Sequence, residues 1–405
     1  KRQPLLTTPP GLYFVTLILR PFMQAVGLFR SCEDIKAIRG TNLLALLLLP
    51  NLCLKVLRSR TENQNQTCNT RCSEYNPRIR DSSIGCLTAY ACAMIPPLWF
   101  VGFLYYTDVL GLYAVLAALA AAESGKHIRS SIWGLVSLLF RQTNIIWVLF
   151  IVGVAIVNVS QRISETPRQK TPPFFALLTR CDAWIHWGHT LAPYIPTFLA
   201  FAAYVIWNDG AIVLGDKNHH EVAFHATQLN YFSAFTLAFA WPLLSVPRCC
   251  RSQYYAYLAL LALSTLAVRY GTIVHPFLLA DNRHYTFYIW RRIINARAWT
   301  RYALVPVYAT SAFSVIQTLA HEQSAIWIFG WISATCLSLI PSPLLEPRYF
   351  LVPYIIMRLY MPKMSSKQVA LEFALYGLVN IVTMIVFLYR PFTWSSEPGL
   401  QRFMW

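Results

Sequence analysis

Long apolar runs alternate with short polar connectors along the whole chain. The apolar runs cover residues 11–29, 40–54, 86–104, 109–122, 131–140, 145–157, 191–207, 226–245, 254–271, 302–320, 325–341, 349–361 and 369–389. A membrane-crossing helix needs about 20 apolar residues, and several of these runs are shorter, which reads as broken helices. The pattern predicts an all-α polytopic membrane protein with about eleven to thirteen transmembrane helices. No Gly/Ser-rich linker or internal repeat divides it, so one integrated domain over 1–405 is expected.

The basic residues sort the connectors. Lys55, Arg58, Arg60, Arg71, Arg78 and Arg80 fall in 55–80, Lys126 and Arg129 in 123–130, and Arg162, Arg168, Lys170 and Arg180 in 158–180. Arg248 and Arg251 flank a fourth junction, Lys363 and Lys367 a fifth. Cytoplasmic loops collect Lys and Arg. With all five cytoplasmic, the opposite face receives 105–108, 141–144, 208–224, 272–288, 341–348 and 390–405. This requires two short helices within 131–157 rather than one long one. By the same parity Thr7-Thr8-Pro9-Pro10-Gly11 falls on the cytoplasmic side unless 11–29 is re-entrant.

Composition agrees with a membrane protein. The 405 residues carry 34 Lys and Arg against 17 Asp and Glu, a net charge of +17, and only 13% of residues are charged. Ordinary soluble domains hold about 25%. Positive loops beside anionic lipid explain this better than a nucleic-acid surface, which would cluster its cations on one soluble face. Ten cysteines are too sparse for a disulfide scaffold. Cys68 and Cys72 lack the usual zinc spacing, and Cys32, Cys53, Cys86, Cys92 and Cys336 read as small hydrophobes. The sequons at Asn65 and Asn158 both fall in loops assigned to the cytosol, so neither is expected to carry glycan.

Polar residues beside membrane spans line cavities or pair with each other. In the 275–288 stretch, Asp281, Asn282, Arg283, His284 and Tyr285 combine a carboxylate, a guanidinium suited to phosphate, an imidazole and an aromatic ring. The plainer reading is a capping loop in which Asp281 pairs with Arg283. Asp216 and Lys217, followed by His219, His220, Glu221 and His225, read as a polar substrate loop or, with less support, a metal site; no metal is assigned. Arg141, Gln142, Thr143 and Asn144 interrupt an apolar run and need internal partners or a substrate. Asp108 is either a helix N-cap or a site carboxylate. Glu346 and Arg348 are either an internal ion pair or site residues. His186 and His189, near Trp184 and Trp187, read as an interfacial loop. No dinucleotide, Walker, zinc-protease or serine-hydrolase signature occurs.

Several blocks together resemble the dolichyl-phosphate-glucose-dependent α-1,2-glucosyltransferases of the endoplasmic reticulum. They are Thr7-Thr8-Pro9-Pro10-Gly11-Leu12-Tyr13, Tyr105-Tyr106-Thr107-Asp108, Phe140-Arg141-Gln142-Thr143-Asn144-Ile145-Ile146-Trp147, Gly215-Asp216-Lys217 with His220, Leu278 to Tyr288, Leu345-Glu346-Pro347-Arg348-Tyr349 and Gln401-Arg402-Phe403-Met404-Trp405. The resemblance implies a GT-C-like helical bundle with a lumenal active site. It implies transfer of glucose, with inversion, from dolichyl-phosphate-glucose to a diglucosylated lipid-linked oligosaccharide. The partners implied are these two lipids and the membrane, with no nucleic acid and no separate cofactor. Family members carry a first transmembrane helix and an acidic lumenal loop ahead of the Thr-Thr-Pro-Pro-Gly block, so the catalytic base is expected upstream of Lys1. The leaving group is a phosphate, so positive donors are needed there. Arg283 is the expected donor, with His284 and Arg141 as helpers. Asp108, Asp216 and Asp281 remain as carboxylates for sugar hydroxyls. The competing classes are a lipid-linked-sugar transporter, which would show two related halves, and a catalytically incomplete membrane partner.

Overall fold

The computed structural model describes residues 9–25, 27, 35–68, 81–163, 179–215, 223–245, 251–395 and 399–405. Helices dominate them. Helices α1 (Gly11–Ala25), α2 (Ile35–Cys68), α3 (Asp81–Met94) and α4 (Pro96–Val101) come first. The 86–104 run is broken because Pro96 and Pro97 have no N–H to continue α3, and the helix restarts on them. Next are α5 (Asp108–Glu123), α6 (His127–Leu138), α7 (Ile145–Ile163), α8 (Cys181–Leu191), α9 (Ile195–Trp207), α10 (Gln228–Ala240) and α11 (Arg251–Tyr270). Short α12 (Pro276–Ala280), α13 (Tyr285–Ile289) and α14 (Thr300–Ala303) precede α15 (Val305–Ala320), α16 (Ala325–Leu339), α17 (Leu351–Tyr360) and α18 (Ser366–Tyr389). Strands β1 (Phe392–Thr393) and β2 (Leu400–Gln401) pair antiparallel near the end of the chain.

Five stretches among the described residues are long and apolar enough to cross a membrane. They are Ile38–Asn63, Gln142–Ile163, Cys181–Trp207, Thr300–Ala320 and Ser366–Tyr389. The protein is thus a helical, polytopic membrane protein. The 131–157 run does split, with α6 and α7 joined through the 3-10 turn Gln142–Asn144. Two loop expectations are corrected. Helix α2 continues to Cys68, well past the expected loop start at 55. Residues 181–191 form a helix that runs on into α9. Trp187 is there buried, donating Nε1–H to Ser160 Oγ at 3.0 Å, so only exposed Trp184 is left to anchor at an interface. Its local hydrogen-bond partner, not the membrane surface, decides the place of Trp187.

The chain resolves into two compact units. The first comprises 1–93, 101–219 and 322–334, the second 94–100, 220–321 and 335–405. In the first, α5 packs against α2, α6 and α7. Every α5 residue except Tyr113 is buried, as expected of a helix apolar on all sides. Small residues allow the close approach: a Cβ on Gly134 of α6 would come within 3.1 Å of Val148 on α7. Cys53 and Cys92 are buried in this unit, in line with their reading as small hydrophobes. In the second unit α10, α11 and α15 pack together. Phe235 meets Phe350 and Tyr354 edge to face, with centroids 5.4 and 5.5 Å apart. Helix α18 begins with a capping box, Ser365 and Gln368 each bonding the other's backbone N–H.

Candidate functional site

In the first unit, the polar residues gather at the Asp108 end of α5. Thr107 holds the N-cap position and makes no side-chain cap bond. Asp108 is instead an ion-pair partner: its buried carboxylate receives Arg141 Nη1. The chain leaves α6 extended at Arg141 and tightens into the Gln142–Asn144 turn. Buried Asn144 donates to Ser137 O at 3.0 Å, closing the turn onto the end of α6. A Cβ on Gly111 would meet Asn144 Nδ2 and Phe140 Cβ at 3.5 Å, ordinary contact, so the turn packs directly on this face of α5. Gln142 Nε2 reaches Tyr204 OH at 3.4 Å, and that hydroxyl donates to Ile212 O at 2.7 Å.

Gly11 comes to the same end, its N–H bonding Leu139 O at 2.9 Å. Thr16 and Tyr105 share a 2.8 Å hydroxyl contact, and Asn42 Nδ2 donates to Leu104 O and Tyr106 O, both at 2.7 Å. Within this unit, then, 105–108, 141–144 and 208–213 come together as the charge sorting requires, and Gly11 joins them. The contrary parity for the Thr-Thr-Pro-Pro-Gly block is corrected at Gly11 by that backbone bond; Thr7 and Thr8 lie outside the described residues.

The second unit assembles a separate cluster. Arg283 clasps Asp281 with both edges of its fork, Nε to Oδ1 at 2.9 Å and Nη2 to Oδ2 at 2.7 Å, and its backbone N–H adds a third bond to Oδ1 at 3.0 Å. Burial alone would push the Asp281 carboxyl up. The bonds from Arg283 and the charges of Arg283 and His284 outweigh it and hold the group below the usual 3.8. The remaining Arg283 contacts brace the guanidinium, with Nη1 on Gln401 Oε1 at 3.2 Å and the plane over the Trp394 ring at 4.8 Å. Trp394 Nε1 donates to Asn282 Oδ1 at 2.7 Å.

His284 Nδ1 stands 3.1 Å from Trp405 O. A carbonyl only accepts, so Nδ1 carries a proton and Nε2 is turned to Asp281, 3.7 Å from Oδ2. Met404 N donates to Arg283 O at 2.9 Å, Tyr285 N donates to Met404 O at 3.0 Å, and the Tyr285 and Trp405 rings lie 5.1 Å apart. Asp281, His284 and Glu346 edge one cavity of about 190 Å³ with Phe277, Thr286 and Leu345. Glu346 also pairs with Arg348 Nε. Both ion pairs named as the plainer readings are therefore present, and both border space that a ligand could enter.

The family of the chain can now be compared with this geometry. The DIE2/ALG10 family model matches residues 2–359. The chain belongs to this family. Proteins named Dol-P-Glc:Glc(2)Man(9)GlcNAc(2)-PP-Dol alpha-1,2-glucosyltransferase from Arabidopsis thaliana and Rattus norvegicus are 31% and 32% identical to it, over 476 and 433 aligned residues. Each alignment covers 100% of this chain and 90% or 88% of the relative. The Drosophila melanogaster protein of the same name is 31% identical over 430 residues, with 100% and 88% covered. No solved structure matches the chain.

In this DIE2/ALG10 family member the expected residues fall into two groups. Asp108, Arg141, Gln142 and Asn144 stand in the first unit, and Asp281, Asn282, Arg283, His284, Tyr285, Glu346 and Arg348 in the second. Asp216, Lys217 and His220 lie outside the described residues. Gln228, which sequence reading missed, and His225 support the second group from behind. Buried Gln228 donates to Ser342 O at 3.1 Å and Leu344 O at 2.8 Å, and His225 Nδ1 stands 3.1 Å from Pro343 O. They pin the loop that presents Glu346. Burial lowers the His225 pKa, and contacts to the Pro343 and Ser342 backbone only partly restore it. His225 thus braces the loop. Among the described residues, no three His, Cys, Asp or Glu side chains group as metal ligands. Gln228 shares α10 with Asn230, Ser233 and Thr236, so its polarity alone did not single it out.

Proposed function

We propose that this protein transfers glucose from dolichyl-phosphate-glucose to a diglucosylated lipid-linked oligosaccharide, adding the terminal α-1,2-linked glucose used in protein N-glycosylation. The observation that carries it is the end-to-end match to relatives named for this reaction. The reading includes a single GT-C-like domain over 1–405 with about eleven to thirteen spans, an endoplasmic-reticulum membrane location and a lumenal active face. Its partners are the two lipid substrates and the surrounding membrane, with no nucleic acid.

Displacement is in line and inverts the anomeric carbon. The acceptor hydroxyl needs a general base within about 3 Å. Negative charge develops on the departing phosphate, and Arg283 is the group to stabilise it, with His284 beside it. Asp281 and Glu346, at the rim of the 190 Å³ cavity, are suited to accept bonds from sugar hydroxyls. Their ion pairs fix both carboxylates before substrate arrives, and the one with Arg283 helps keep Asp281 ionised.

The test is transfer of labelled glucose in washed membranes lacking the endogenous activity. The donor is dolichyl-phosphate-glucose and the acceptor the diglucosylated lipid-linked oligosaccharide, with a relative's full-length enzyme as control. The expected result is addition of one hexose only when the acceptor already carries two glucoses. A chain extended to its natural N-terminus that is folded in the membrane yet adds none would overturn the reading.

A further inference from the structure

The opposite end of α5 carries a feature that glucose transfer does not use. There Glu123 is buried and accepts Asn63 Nδ2 at 2.8 Å and Asn158 Nδ2 at 3.0 Å. Beside this end, α2, α5 and α6 enclose a cavity of about 220 Å³. Lys55 of α2 and Arg129 from the first turn of α6 line it, with Asn51 one helical turn before Lys55. Tyr113 and Trp133 form an aromatic wall, their rings 6.2 Å apart and edge to face. No acidic side chain lines the cavity, and among the described residues none pairs with Lys55 or Arg129.

The surroundings are lipid-like. Lys55 lies within the candidate span Ile38–Asn63, eight residues or about 12 Å from its end. Leu48 in the lining is 43% exposed, and Ile128 and Ile132, each preceding a lining residue of α6, are 70% and 58% exposed. A cation at this depth requires a partner, because hydrocarbon supplies none. Two cations share one opening, no counter-charge is paired with them among the described residues, and apolar and aromatic walls flank the opening. These features fit a phosphate group carried on an acyl or isoprenoid chain, with rings at headgroup level.

We propose that this cavity binds the phosphate headgroup of an anionic membrane lipid, at the end of α5 away from the Asp108–Arg141 pair. Lys55 and Arg129 supply the charge, Asn51 a neutral donor, and Trp133 and Tyr113 the seat for the glycerol or first isoprene region. The shared chemistry is a phosphate monoester, and a lipid source is distinguished from a soluble one below.

The experiment reconstitutes the full chain in phosphatidylcholine nanodiscs doped with phosphatidic acid and counts retained lipids by native mass spectrometry. Wild type should retain phosphatidic acid in preference to phosphatidylcholine. Lys55→Ala and Arg129→Ala should each lower retention about fivefold, and both together about 25-fold, the effect of one basic residue at an anionic surface applied once or twice. The charge-conserving Lys55→Arg/Arg129→Lys variant should bind as wild type does. Both side chains are exposed, so the melting temperature should not move. Equal retention by wild type and the double alanine variant would overturn the site. So would a wild type that does not prefer phosphatidic acid. Displacement by millimolar inorganic phosphate would overturn the lipid as the occupant and leave a soluble phosphate in its place.

Discussion

Arg283 shows why a single side chain can be both structural and chemical. Its fork satisfies Asp281, its Nη1 bonds Gln401 Oε1 and its plane rests on Trp394, so the guanidinium is fixed before any substrate binds. Prefixed donors stabilise developing charge without reorganising at the moment of reaction. Arg283→Ala should lower kcat about 10²- to 10³-fold while the protein still folds; Arg283→Lys should recover only part, since an ammonium cannot reproduce the fork. Near-normal turnover in the alanine variant would remove Arg283 from the mechanism. Asp281 gives a pH test. Its carboxyl sits below 3.8 in the folded protein, so it stabilises the loop above that pH and loses the contribution as pH falls through its folded value. Thermal melts of wild type and Asp281→Asn should differ at pH 6 and converge as the pH falls through the lowered folded value of Asp281.

Also at this scale, Arg358 and Glu372 form a two-bond pair, both contacts 2.8 Å, with side chains 4% and 1% exposed. Tyr376 adds a bond to the same carboxylate at 3.1 Å. Removing one partner strands the other charge in the interior. Glu372→Ala should therefore destabilise the protein by about 3–5 kcal/mol, and replacing both residues by apolar side chains should cost less. Melting in detergent checks both.

Among elements, the strand-like end of the chain matters most. Residues 401–405 do not trail away from the second unit; they bond Arg283 and Tyr285 through the backbone and His284 through its ring. Deleting Gln401–Trp405 should speed amide exchange at Tyr285 and abolish most transfer, while α18, capped independently at its start, stays protected. The α6–α7 turn has a comparable dependence on α1. A Cβ on Gly11 would stand 2.4 Å from Leu139 O, a distance that backbone atoms do not tolerate, whereas a Cβ on Gly153 in α7 would meet nothing within 4 Å. Gly11→Ala should lower transfer and melting temperature together. Gly153→Ala should leave transfer unchanged, since alanine suits a helix better than glycine.

For the whole molecule, the sequence alone determined the helical membrane class, the break between α6 and α7 and the polar blocks that gather in each unit. It could do so because lipid imposes two local rules, a minimum length of apolar helix and a penalty on every unpartnered polar group, and both are written in residue order. Charge sorting also foresaw which loops share an end within each unit. Other features depended on residues far apart in the chain. Trp187 was read as an anchor because its partner, Ser160, is 27 residues away. Gln228 and His225 gave little sign that they brace a loop more than a hundred residues later. Whether Asp108 capped a helix or met a cation was open until Arg141 was brought beside it by the packing of α6 on α5. Polar partnerships of this kind are short-range in space and unconstrained in sequence, so only the tertiary structure decided them.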